Sequence, residues 1–200
     1  MLKRLVFMPL LLLLAACSGN AIFSENFEEM TEVPDILQTD GLVAVPDADN
    51  DVLHLIVTEA GLTESGIMTI KLAADASDYD VSMRVRVIAG SVRLWARRSD
   101  NCSGYVLILD TNLDNFRLSM VNPDNCDLQT IDTRSQLQVN TDQWYDMRIT
   151  VTDNRVSAYV DGVRYFETES DSFPNGLAVI EVLNSRFGVG QVDIESLTVK

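Results

Sequence analysis

From about residue 21 onward, short runs of alternating polarity separated by turn residues fill the chain. In Tyr79 to Ile88, Val81, Met83, Val85 and Val87 share one parity and Ser82, Arg84 and Arg86 the other, the period-two pattern of a strand with one buried face. Ser91 to Arg97 repeats it, with Val92, Leu94 and Ala96 opposite Arg93, Trp95 and Arg97. The short link Ala89-Gly90 predicts that these two strands form a hairpin. A second hairpin is expected from Tyr105 to Asp110 and Phe116 to Val121. Trp144 to Thr152, Arg155 to Val160 and Val163 to Glu167 read as a three-strand meander, turning at Asp153-Asn154 and at Asp161-Gly162. Asp-Gly between alternating runs is a strong hairpin signal, because both turn positions favour positive φ. Leu177 to Val182 and Val192 to Val199 close the pattern. Ile22 to Phe27, Leu53 to Thr58 and Gly66 to Leu72 open it, with the long segment Gly41 to Asp51 left as a connection that could cover one face.

No run sustains a 3.6-residue apolar period over three turns, so the expected class is all-β. Many short strands in one stretch without a linker or repeat predict two antiparallel sheets packed face to face in a single domain, residues 21–200.

The segment before that domain has a different character. Met1-Leu-Lys-Arg4 is a small basic start, and Leu5 to Ala16 is an uncharged apolar run of 12 residues. That is short of the about 20 residues a membrane-spanning helix needs, but it fits the core of a secretory signal. The run ends in Leu14-Ala15-Ala16-Cys17, which resembles the bacterial lipobox, where the cysteine thiol is acylated before cleavage. Residues 1–16 are therefore expected to be a lipoprotein signal peptide, Cys17 the lipidated residue, and 17–20 a short tether to the envelope. Ser18 after the cysteine, rather than an aspartate, resembles the sorting of outer-membrane lipoproteins.

Removing that segment leaves 13 Lys and Arg against 30 Asp and Glu, a balance of −17. A nucleic-acid partner and a polybasic hold on lipid are excluded on that charge, leaving the lipid as the link to the membrane. In an oxidising compartment Cys102 and Cys126 are expected to form a disulfide. They flank the second hairpin, whose open end the bridge would pin. Two thiols with the distant His54 do not make a four-ligand zinc set.

The order of elements also resembles a known family. Ser24-Glu25-Asn26-Phe27, Tyr79-Asp80-Val81-Ser82, Gly104-Tyr105, Gln143-Trp144-Tyr145-Asp146-Met147-Arg148-Ile149, Tyr159-Val160-Asp161-Gly162 and Val192-Asp193-Ile194-Glu195-Ser196-Leu197 are similar to the concanavalin A-like lectin/glucanase superfamily, including its laminin-G-like and 3-keto-disaccharide hydrolase-like jelly rolls. The resemblance implies a concanavalin A-like β-sandwich. It does not fix the chemistry, because a strand-opening tryptophan and an Asp-Gly turn report on packing and turns.

The Glu-x-Asp-x-x-Glu strand of the laminarinase-type branch is missing: Glu25, Glu28 and Glu29 have the wrong spacing, and Asp193-Ile194-Glu195 has only two acids. A lyase base would fall to His54. Twelve of the fifteen basic residues are Arg. Arg84, Arg86, Arg93, Arg97, Arg117 and Arg148 all take the non-core parity of their strands, with Trp95 among them and Tyr105 close by. Such residues on one groove would suit a polysaccharide, the guanidinium forks meeting carboxylates or hydroxyls and the ring stacking on a sugar; paired across strands with Asp and Glu, they would instead be surface ion pairs. Asp47, Asp49 and Asp51 resemble half of a calcium loop without its glycine and distal glutamate. In the resembling superfamily a structural calcium can sit between opening and closing strands, which adds Glu25 and Asp193 as ligands. The expected function is a non-catalytic glycan-binding or adhesion module. A glycoside hydrolase or lyase, and an envelope protein that binds another protein, stay open beside it.

Overall fold

The computed structural model describes residues 21–61, 64–72, 76–99, 102–111, 113, 115–121, 127–134, 138–186 and 188–200, with side chains omitted at 132–134. The expected signal peptide, Cys17 and Cys126 lie outside these residues.

Fifteen strands and no helix occur among the described residues. They are β1 (Phe23–Glu25), β2 (Leu37–Asp40), β3 (Leu42–Asp47), β4 (Val52–Val57), β5 (Ser65–Ile70), β6 (Tyr79–Ala89), β7 (Ser91–Arg98), β8 (Gly104–Asp110), β9 (Asn115–Val121), β10 (Leu128–Arg134), β11 (Trp144–Thr152), β12 (Arg155–Val160), β13 (Val163–Glu169), β14 (Leu177–Leu183) and β15 (Gln191–Val199). An eight-stranded sheet has the order β13-β12-β11-β6-β15-β4-β3, with β1 added on β15; a seven-stranded sheet has the order β10-β9-β8-β7-β14-β5-β2. All pairings are antiparallel. This is the expected two-sheet all-β sandwich, and one core between the sheets collects the inward parity of every long strand, from Phe27 to Val199.

The expected second hairpin, β8 with β9, and the meander β11-β12-β13 are present. Asp161 and Gly162 both have positive φ, as the turn chemistry requires. The expected hairpin of β6 with β7 is not formed. β6 pairs with β11 and β15 in one sheet, whereas β7 pairs with β8 and β14 in the other. Gly90 alone separates the two strands, with φ +87°, and a Cβ there would lie 2.0 Å from the carbonyl oxygen of Leu183. The short link is a change of sheet rather than a turn.

The segment Gly41 to Asp51 does not cover a face either. It forms β3, the edge strand of the eight-stranded sheet, where Pro46 is tolerated because an edge has no second neighbour.

A second departure from regular alternation lies at the end of β7. Leu177 pairs with Arg98 and Val179 with Trp95, so β7 holds one residue more than β14 between these positions. Arg97 has φ +52° in this bulge and turns into the end of the sandwich, where it is 1% exposed. Its Nε donates to the Ser77 carbonyl, Nη1 to Phe173 and Nη2 to both Asp153 and Asp78. The Tyr79 hydroxyl accepts from the Arg97 amide and donates to the Gly176 carbonyl, and burial pushes the Tyr79 phenol well above its ordinary pKa.

Two outcomes follow in equilibrium denaturation. Gly90→Ala is expected to lower the unfolding free energy by at least about 2 kcal/mol, through an unfavourable φ and backbone overlap. Arg97→Gln is expected to cost about 3 kcal/mol, because buried carbonyls lose their donors; a change under about 1 kcal/mol would contradict this role.

Candidate functional site

The change of sheet at Gly90 divides the expected arginine stripe between opposite outer faces of the molecule. Arg84, Arg86 and Arg148 lie on the outer face of the eight-stranded sheet, and Arg93, Trp95 and Arg117 on that of the seven-stranded sheet. Arg97 belongs to neither, since the bulge turned it inward. Tyr105 pairs with Ala96 and faces the core, fully buried edge-to-face against Phe173 with its hydroxyl donating to the Ser170 carbonyl. Arg97 and Tyr105 are therefore structural residues, not members of a ligand groove.

On the eight-stranded sheet one row of cross-strand neighbours runs His54, Asp193, Arg86, Trp144. Arg86 donates to Asp193 Oδ2 from Nη2 at 2.6 Å and from Nε at 3.1 Å, and its guanidinium carbon lies 4.9 Å from the Trp144 ring centroid. Arg84 meets Glu195 at 2.6 Å and Asp146 at 3.2 Å. Arg148 lies 3.9 Å over the Tyr159 ring and 3.7 Å from Asp80. An open depression of about 400 Å³ between them is lined in part by Ser82, Arg84, Asp146, Arg148 and Tyr159. Each of the three arginines already has a carboxylate, so this face is a lattice of cross-strand ion pairs.

In that row His54 has both ring nitrogens bonded to carboxylates: Nδ1 to Asp193 at 2.6 Å and Nε2 to Asp47 at 3.1 Å. Ionised carboxylates only accept, so this geometry favours donation from both nitrogens, which the ring can make only as an imidazolium. Burial alone would lower its pKa, but the hydrogen bonds and charges of Asp193 and Asp47 outweigh that and raise it. A ring with both nitrogens engaged in this way has none left to act as a lyase base.

The same contacts bear on the calcium ligands. Asp47 Oδ1 accepts from the amides of Asp49 and Asn50, and Oδ2 from the Asn50 side chain and His54. These bonds, that of Asn50 foremost, hold the Asp47 carboxyl below its ordinary pKa. Glu25 caps the amides of Asn26 and Phe27, and Asp193 is held between the His54 ring and the Arg86 guanidinium. Asp47, Asp49 and Asp51 thus form a turn, and among the described residues no three His, Cys, Asp or Glu side chains gather to hold a metal ion.

The outer face of the seven-stranded sheet is built differently. One row runs Arg117, Ile108, Arg93, Glu181, Ile67 and the next Ser119, Val106, Trp95, Val179, Thr69. Trp95, Val106, Ile108, Val121 and Val179 form a small apolar cluster separate from the main core. Trp95 is only 3% exposed, so it is not the open stacking plate that alternation alone suggests. Its Nε1 donates to Glu181 Oε2 at 3.0 Å, and Arg93 Nη1 donates to the same oxygen at 3.1 Å. Arg117 bonds Asp110 at 3.2 Å. Arg98, placed outward by the bulge, holds its guanidinium carbon 5.0 Å from the Trp95 centroid. Beside it lies a depression of about 160 Å³ lined by Ile67, Thr69, Arg98, Ser99, Leu177 and Val179.

Glu181, Arg98 and Trp144 are the residues that sequence reasoning missed. Glu181 carried a signal, as the only charge in the apolar run Leu177 to Val182. Trp144, a strand-opening tryptophan that suggests packing, has an outward parity opposite Tyr145 and Met147. Nothing in the alternation announces the bulge that exchanges Arg97 for Arg98.

No family model and no curated protein matches the chain. Solved structures do share its fold. The carbohydrate-binding module CBM66 from Bacillus subtilis is similar with a TM-score of 0.66 at 12% identity, over 82% of this chain and 95% of that one. The lumenal domain of VIP36 in a calcium- and mannose-bound form gives 0.64 at 12% identity over 88% of each chain. A structure from work on endo-acting O-glycanases of the human gut microbiota gives 0.64 at 12% identity, over 90% and 98%. The class that the fold defines is thus the two-sheet jelly roll found in lectins, carbohydrate-binding modules and glycanases.

The His54 geometry sets a direction for pH dependence. An imidazolium with a raised folded pKa stabilises fully below about pH 6.5, the ordinary value, and this contribution is lost as pH rises through the folded value. Between about pH 6 and pH 9, the thermal midpoint of the wild type is expected to fall further than that of His54→Gln. Parallel curves in differential scanning calorimetry would refute the assignment.

Proposed function

We propose that this chain is a cell-envelope lipoprotein whose sandwich binds a glycan without cleaving it, through the outer face of the seven-stranded sheet. The anchor is the lipid on Cys17, read from the signal-like start, and a Cys102–Cys126 disulfide ties the β8–β9 hairpin beside the binding face. The lipid would place the domain on the outer membrane.

One observation carries the reading: a tryptophan, a glutamate and two arginines are locked to one another on the outer face of a sheet. Holding charges in partly buried positions costs free energy that threonines or lysines on an outer face would avoid. Fixed rotamers supported by neighbours are what a preorganised binding surface needs. Trp95 acts as the support, fixing Glu181 through its indole N–H and carrying Arg98 on its ring. Among the described residues the adjoining depression is lined without a carboxylate, and Glu181 and Asp110 are each tied to an arginine, which favours binding over hydrolysis by a carboxylate pair. The jelly-roll neighbours, one a carbohydrate-binding module and one bound to mannose, support a glycan as the partner.

The test is a glycan array probed with the purified full chain in mild detergent, with calcium or with chelator. Glycan capture that persists in chelator and weakens at least about tenfold in Glu181→Gln, which breaks a charge-assisted contact, is the expected result. Trp95→Phe, which keeps a ring but removes the donor, is expected to weaken it similarly. An empty array for a folded chain would refute glycan binding, and turnover of a captured glycan would refute the non-catalytic assignment.

A further inference from the structure

Of the nine arginines on strands whose side chains are described, eight lie within ion-pair distance of a carboxylate. Arg98 is the ninth. Among the described residues it has neither a carboxylate nor a hydrogen-bond acceptor, and its Nε is buried without a partner. Among the described residues it is also the only charged one lining the depression between β5, β7 and β14.

Its surroundings are those of a site rather than of a loose surface cation. The guanidinium is held over Trp95, whose own position is fixed by Glu181, so the fork is oriented before any ligand arrives. Ile67, Leu177 and Val179 supply apolar surface, and Thr69 and Ser99 supply hydroxyls. Neighbouring charges cancel, Arg93 against Glu181 and Arg117 against Asp110, which leaves Arg98 as the arginine of this face that no carboxylate among the described residues neutralises. The volume of about 160 Å³ is below the roughly 300 Å³ at which pockets begin to enclose a small-molecule ligand, so it admits the edge of one unit of a longer chain.

We propose that this depression receives the carboxylate of an acidic sugar, a uronic acid unit of a polysaccharide. Arg98 meets the carboxylate with two parallel N–H donors, the apolar surface lies under the C–H face of the ring, and Thr69 meets a ring hydroxyl. The proposal rests on the reading of this sheet as the glycan-binding face and names the ligand class. The acidity of the chain sharpens it. With a net charge of −15, the protein repels polyanions at long range, and only within the screening distance of about 8 Å at physiological salt does a single fork dominate. Recognition therefore depends on fork geometry, and polyanions of other geometry are expected to bind poorly.

The experiment is isothermal titration of the full chain in mild detergent with oligogalacturonate, with the same oligomer after reduction of its carboxyls, and with dextran sulfate. The wild type is expected to bind oligogalacturonate, and to bind the reduced oligomer and dextran sulfate at least about tenfold more weakly. Arg98→Gln is expected to remove that preference and Arg98→Lys to restore part of it, both with thermal midpoints near the wild type. Equal binding of the reduced oligomer, an unchanged preference in Arg98→Gln, or equal binding of dextran sulfate would each overturn the carboxylate site while leaving a glycan-binding face. Failure of the wild type to bind any oligosaccharide, here and on the array, would overturn both readings.

Discussion

Between β6 and β7 the backbone leaves one sheet and enters the other with only Gly90 outside both strands, and that passage constrains the whole sandwich. The crossing packs so closely that the place of a side chain is filled by the Leu183 carbonyl, at 2.0 Å, and φ is +87°. Because β6 and β7 are central in their respective sheets, this single residue sets how the two sheets face one another. It also sends the outward parity of β6 and that of β7 to opposite surfaces. Arg84 and Arg93 are nine positions apart in sequence and belong to different faces of the protein.

The bulge at the far end of β7 acts on the result. An uninterrupted strand would put Arg97 beside Arg93 and Trp95 and bury Arg98. The extra residue reverses this. Arg97 goes inward to tie the segments around Ser77, Asp153 and Phe173, while Arg98 goes outward to lie on Trp95. Closure of that end of the sandwich and the outward fork over Trp95 are thus two consequences of one backbone irregularity.

These two features also explain what could and could not be read from sequence. Alternation identifies the long strands and the core parity because side-chain direction in a strand has a period of two, and Val81 to Val87 or Met147 to Val151 obey it strictly. The β11-β12-β13 meander was legible through its Asp161-Gly162 turn. Strand partners across Gly90 were not, since a short link serves equally for a hairpin and for a change of sheet. The edge strand β3 was hidden by Pro46 and by the exposed Val43 and Val45, which break the expected pattern. For the outer faces, alternation correctly placed Arg93, Trp95 and Arg117 outward, but parity says nothing about which outward residues share a face, and it fails at a bulge.

The preponderance of arginine over lysine can be understood at the level of single contacts. On the eight-stranded sheet, Arg86 uses two of its nitrogens on one buried oxygen of Asp193 while lying over Trp144, and Arg84 spans Glu195 and Asp146. A lysine ammonium, a single point charge at the end of a flexible stem, would serve one contact in each case and leave the others without a donor. In a chain with twice as many acids as bases, 30 against 15, a cation that serves several acceptors lets adjacent strands carry carboxylates without repelling one another. With carboxylates in excess, a strand arginine without one requires a specific cause. For Arg98 the cause is geometric: the bulge and the Trp95 ring hold its fork away from the paired rows, beside the open depression.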